Sequence, residues 1–180
     1  PGGVVTAKDT AEIQLDEKGE FVRNPEEDIV KVAVVERHQG TGNVACGFLK
    51  GYGIKAGAVA LSIAHDSHNI IVVGVSDEEM EFAVNSLIAQ EGGMVLVKEG
   101  KVIESMPMPI AGLMSDQSGE WVDEKLTAIH AKAYEELGIA GDVEPVMTLC
   151  FMSLAVIPEV KLTDMGLFDV TTFSFIPVEA

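Results

Sequence analysis

The stretch GAVALSIAHDSHNIIVVGVSDEEM, residues 57 to 80, decides the fold. It opens on the apolar run GAVALSIA and, after five polar residues, resumes as IIVVGV. Valine and isoleucine branch at Cβ and sit most easily on an extended backbone, so the two runs read as strands flanking a crowded loop. Ser76 follows, with Glu79 three residues later, the spacing of a capping box that starts a helix. Met80, Ala83, Val84, Leu87 and Ile88 then recur at the period that places them on one helical face. Gly92-Gly93 supplies the stop. Two strands feeding an amphipathic helix predict a mixed α and β domain.

Working outward, IVKVAVVERH (29–38) is dense in valine and predicts a buried strand. The loop QGTGN follows, then VACGFLKGYGI, whose glycines argue against a regular helix of more than two turns. MVLVKEGKVIESMPMP alternates on both sides of a Glu99-Gly100 turn and predicts a hairpin closed by prolines. A second helix is expected from about Gly119 to Leu137, with Trp121, Val122, Leu126, Ile129, His130 and Ala133 on a face and Gly138 as its end. PVMTLCFMSLAVIP fits a buried helix or a strand equally well. The tail LFDVTTFSFIPV alternates as a strand would. Residues 1–28 are polar and acidic, and read as a peripheral segment with a short hairpin around Lys18-Gly19, leading into a domain over 29–180. No fixed-period repeat or dividing linker is visible. The sum is an α+β fold: a largely antiparallel, hairpin-linked sheet with about three to four covering helices.

Composition limits the functions open to such a domain. Of 180 residues, 47% are apolar, which excludes a disordered chain. No apolar run approaches the roughly 18 to 20 residues of a membrane-spanning helix, and no secretory signal is visible. The chain starts at Pro1 rather than Met, as a processed protein or an excised piece would. Asp and Glu number 29 against 12 Lys and Arg, a net charge of −17. That charge repels phosphates, and no basic stripe offsets it, so neither nucleic acid nor a membrane is expected as a partner. The acidity reads as a solvated surface. Cys46 and Cys150 lie far apart in apolar surroundings, without a CxxC pair. They read as buried free thiols in a reducing cytoplasm. The eight methionines read as core filler.

The polar loop carries the first candidate chemistry: His65, Asp66, Ser67, His68 and Asn69. As a metal site it is incomplete. Two histidines three apart share a face on a helix but point to opposite faces of a strand, and a site needs three or four ligands. Asp66 could be a third, and Glu36 or His38 a fourth. As a plain turn, Asp66-Ser67 suffices, yet a turn needs neither two histidines nor the asparagine. Imidazoles shuttle protons near neutral pH, and Asp and Asn read donors and acceptors on a heterocycle. Ligand contact therefore stands beside the turn reading. A second constellation is Glu36, Arg37 and His38, which could present charges to a ligand or form an internal ion pair. GTGN beside it lacks the spacing of a phosphate cradle. His130 reads as core or partly exposed packing. No GxSxG occurs, and neither cysteine has an adjacent base, so no nucleophilic triad is suggested.

Three separated blocks carry a resemblance that periodicity could not give. VAVVERHQGTGNVACGFLKGYGIKAGAVALSIAHDSHNIIVVGVSDEEM, MPMPIAGLMSD and MTLCFMSLAVIPEVKLTDMGLFDV together resemble the C-terminal domain of adenine deaminases, of the amidohydrolase superfamily. The resemblance covers about residues 28 to 178. It implies a hydrolase of purine metabolism that acts on a cyclic amidine C–N bond, converting adenine and water to hypoxanthine and ammonia. It also implies that the catalytic centre, a divalent metal of manganese or iron type, lies in a preceding (β/α)8 barrel. This sequence has no HxH motif and no room for a barrel of about 200 residues or more. The chain thus looks like the C-terminal domain of a longer enzyme, with no metal or cofactor of its own and inactive in isolation. Its expected partners are its own N-terminal barrel, adenine and, in a homo-oligomer, further copies. His65, Asp66, Ser67, His68 and Asn69 match the family's HDSHN block. The match implies a loop that reaches the barrel's mouth and helps enclose or orient the purine, without being the catalytic centre. The alternatives are a structural or oligomerisation module, with this loop an interface turn, and an independent small metal-binding or ligand-binding protein.

Overall fold

The computed structural model describes residues 4–179. Its centre is built by the valine-rich segments. β3 (Ile29–Val35), β4 (Val44–Lys50), β5 (Ala58–Leu61), β6 (Ile70–Gly74), β7 (Gly93–Lys98) and β8 (Lys101–Pro107) form one sheet in the order β4-β3-β6-β5-β7-β8. Every neighbouring pair is antiparallel. Every residue of β5 and β6 is buried, because both faces of the sheet are covered. On one face Ala33, Ala58, Ala60, Val72, Val95 and Val97 meet Met80, Ala83 and Leu87 of helix α1 (Asp77–Ala89). The alternate residues Val32, Val59, Leu61, Ile71, Val73 and Leu96 face a second layer containing Ile129, Ala133, Leu137, Leu149 and Leu162. The period-two alternation of a strand thus feeds two separate apolar clusters.

The α1 face is lined with small residues, and these let the helix approach closely. A Cβ on Gly74 would stand 2.6 Å from Cγ of Met80. Ser76 caps α1 as expected, its Oγ accepting from the Glu79 amide at 3.3 Å. The reciprocal half of the capping box does not form. Glu79 instead accepts from the Gly100 amide at 3.3 Å, in the β7–β8 turn. Ile88, expected on the buried face, is exposed at the helix's last turn. The Glu99-Gly100 turn forms as expected, both residues having the positive φ that a two-residue hairpin requires.

The second layer contains α2 (Gly119–Glu135), α3 (Pro145–Cys150) and a small antiparallel sheet of β9 (Val160–Thr163), β10 (Gly166–Asp169) and β11 (Ser174–Ile176). α2 follows the expected helix to within two residues at its end. The segment open to helix or strand resolves into α3 and the turns after it. The tail is a hairpin and not a single strand. The Asp169 carboxylate accepts from the amides of Thr171 and Thr172 and turns the chain between β10 and β11. The first seven residues of the glycine-rich segment form no helix but the edge strand β4. Gly47 faces Leu162 there, whose Cδ1 would lie in ordinary contact, 3.6 Å from an added Cβ.

Cys46 departs from the expectation of two buried thiols. It lies on that edge strand and is exposed, whereas Cys150 is buried. Residues before β3 hold a two-stranded hairpin, β1 (Gln14–Leu15) with β2 (Phe21–Val22). They are also tied to the small sheet: Thr6 bridges Glu159, Lys8 pairs with Asp169 at 3.0 Å, and the buried Lys161 donates to the Val4 carbonyl and Thr6 Oγ1. Among the described residues no helix is long and apolar enough to cross a membrane.

Candidate functional site

Antiparallel order brings the end of β3, the start of β6, the end of β5 and the exit of β8 to one end of the main sheet. The loops there carry both polar constellations. The β5–β6 loop holds His65 to Asn69, the β3–β4 loop holds Glu36 to His38, and the segment after β8 contributes Ala111 and Gly112. The loops touch through specific bonds. His38 Nε2 donates to the Ser67 carbonyl at 2.7 Å. Arg37 Nε donates to the His68 carbonyl at 2.5 Å, and its Nη2 to the Ala111 carbonyl at 2.9 Å. Buried Asn69 accepts from the Arg37 amide through Oδ1 at 3.3 Å.

The structure therefore divides the five loop residues. Asn69 is spent inside the scaffold. Asp66 and Ser67 are exposed at the tip, with Ser67 Oγ accepting from the Asn69 amide at 3.4 Å. The two imidazoles lie beneath them. His65 is anchored by its amide to the Cys150 carbonyl at 3.0 Å, and its ring centroid is 4.8 Å from that of Phe151. The His68 ring stands edge-on to that of His65, centroids 5.5 Å apart. Nδ1 of His68 is buried and has no hydrogen-bond partner among the described residues. Burial, with the nearby His65, Arg37 and His38, holds the His68 pKa below the ordinary imidazole range; Asp66 opposes the shift. His68 is thus neutral at neutral pH, and its buried Nδ1 is left without a hydrogen-bond partner among the described residues.

Of the two readings of Glu36 and Arg37, the internal ion pair does not form among the described residues. Glu36 turns back on its own loop and accepts from the amides of Thr41, Gln39 and His38. These amides, that of Thr41 foremost, lower its pKa to about 2. Arg37 has no carboxylate partner among the described residues and bonds backbone carbonyls instead. His130 is half-exposed on α2, its Nε2 2.5 Å from Oε1 of Glu144, a packing role apart from this site.

The residues do not fit a resident metal. Among the described residues no three His, Cys, Asp or Glu side chains converge. The two imidazoles lack a third ligand, because Asp66 lies outward and Glu36 is occupied. Nor is Cys150 a nucleophile: burial raises its thiol pKa to about 12.

Two residues of the cluster went unnoticed in the sequence. Ser62, buried at the end of β5, donates through Oγ to the Gly112 carbonyl at 2.5 Å and accepts from the Gly93 amide at 2.7 Å. Gly112 has φ +72°, and an added Cβ would stand 3.0 Å from Nη1 of Arg37. The Ala-Gly step in MPMPIAGLM was the available signal. The methionines of that motif divide: Met106 and Met108 fill the core as expected, while Met114 is exposed.

A family model described as the adenine deaminase C-terminal domain matches residues 3–174. The chain belongs to the adenine deaminase C-terminal domain family. This adenine deaminase C-terminal domain is 69% identical over its whole length to adenine deaminase 2 of Desulfotalea psychrophila, covering 31% of that protein. It is 51% identical over 99% of its length to the adenine deaminase of Ligilactobacillus salivarius, covering 31% of it. To the adenine deaminase of Halalkalibacterium halodurans it is 47% identical over 98% of its length, covering 30%. The domain thus spans about 31% of the length of the relatives it matches. The family implies a metal in its catalytic domain, and among the described residues here no cluster could hold one.

Proposed function

We propose that this chain is the C-terminal part of an adenine deaminase, an enzyme that hydrolyses adenine to hypoxanthine and ammonia. The observation that carries this reading is 69% identity, end to end, to about a third of a protein of that name. Residues 29–180 form the domain proper, and residues 1–28 lead into it from a preceding barrel. The manganese-type or iron-type centre is assigned to that barrel; among the described residues no three ligands converge to hold it here. The unpaired Cys46 and Cys150 suit a reducing cytoplasm.

Within the reaction, the water oxygen ends on the purine ring and the exocyclic amine leaves as ammonia. This domain's share is to enclose and orient. Neutral His68 offers its unpartnered Nδ1 to a polar atom of the purine or of the barrel's mouth. His65, backed by Phe151, supplies a ring wall beside it. Asp66 and Ser67 close the tip.

In the full-length enzyme, His65→Ala and His68→Ala are each expected to lower turnover about 10- to 100-fold, the scale of a misplaced substrate, with the melting temperature unchanged. Unchanged kinetics in both variants would sink the reading. The second reading, a structural module with this loop as an interface turn, is favoured by exposed Ile110 and Met114 next to the loop. It predicts instead a lower melting temperature of the full-length protein, with turnover per folded molecule intact. The isolated chain is expected to show no adenine deamination.

A further inference from the structure

Among the described residues, Arg37 is the one side chain at this end of the sheet that joins all three loops. It leaves β3, runs beneath the β5–β6 loop to the His68 carbonyl, and ends on the Ala111 carbonyl. Its own amide is held by Asn69, at the other side of His68. Gly112, without a side chain, lets the guanidinium close on the turn, and Ser62 pins the same turn from the strand side. The guanidinium thus donates through Nε and Nη2 to backbone carbonyls and has no carboxylate partner among the described residues. It grips His68 by the carbonyl, and the ring leaves the adjacent Cα, so movement of that carbonyl moves the imidazole.

We infer that Arg37 is a positioning residue: it ties the histidine loop to the Ala111–Gly112 turn and fixes where the His68 ring stands. The inference rests on the proposed function for its readout. A point charge at the end of a flexible stem cannot span both carbonyls as a planar fork does, so lysine preserves charge but not geometry. The groups facing His68 are His65, Arg37, His38 and Asp66. Of these Arg37 carries a permanent positive charge that favours the neutral ring.

The test uses Arg37→Met and Arg37→Lys in the full-length enzyme, with kcat, KM and the pH profile of kcat/KM read for each. Arg37→Met is expected to lower kcat about 10- to 100-fold and to move the acid limb of the profile to higher pH. Arg37→Lys should leave the acid limb in place while kcat stays below wild type. A folded Arg37→Met enzyme with wild-type kcat, KM and acid limb overturns the inference. Should Arg37→Met not fold, Arg37→Lys decides: lowered kcat at an unchanged melting temperature supports it, and wild-type kcat overturns it. Failure of the underlying reading shows separately, as wild-type kinetics in His68→Ala. Impaired His68→Ala beside fully active Arg37→Met defeats only the positioning role.

Discussion

His68 is held neutral by its surroundings, and that has a consequence for stability. Its folded pKa lies below the ordinary histidine value of about 6.5, with burial the first cause. The unfolded chain therefore binds more protons than the folded one between those two values. Stability rises with pH across that window, and is progressively lost as pH falls from about 6.5 toward the folded value. Denaturant titrations at a series of pH values should show this slope in the wild type and a shallower one in His68→Gln. Equal slopes would mean that burial does not shift the ring. Glu36 acts in the opposite range: with a pKa of about 2 it keeps its loop contacts at any pH where His68 titrates. The polar character of both residues was legible in the sequence, but their partners were not. Glu36 bonds amides and Arg37 bonds carbonyls, and a backbone group gives no residue-type signal.

Among the elements, α1 was legible down to its cap, because capping and burial both act over a few residues. Ser76→Ala should cost about 1 kcal/mol of unfolding free energy, the usual loss for an N-cap hydroxyl, measured by chemical denaturation. Glu79→Gln should cost less than Ser76→Ala, since Glu79 bonds Gly100 and not the cap. A larger loss from Glu79→Gln than from Ser76→Ala would contradict this. β4 and the tail hairpin were harder to read for one physical reason. Edge strands keep few buried positions, so alternation is weak and glycines dominate the impression. The exposed Cys46 follows from the same fact, since an apolar neighbourhood in sequence does not ensure a covering layer in space.

Across the whole molecule, what the sequence could not show is which distant segments meet. Thr6 and Glu159 pair across more than 150 residues, and Arg37 reaches Ala111 across 74. The first join runs through backbone atoms that any sequence would supply, and the second ends on a backbone carbonyl that carries no residue-type signal. The α+β class and the antiparallel hairpins were legible because local periodicity sets them, whereas the gathering of three loops at one sheet end needed the strand order. That order also ranks the segments by how reluctantly they open. β5 and β6 have a strand on either side and a covered face above and below. Amide hydrogen exchange in 58–61 and 70–74 should therefore proceed only through global unfolding, while β4 exchanges earlier by local opening. Equal protection in β4 and β5 would contradict this. The histidine loop hangs between the two slowest-exchanging strands, so fraying at the sheet's rims leaves its anchor points in place.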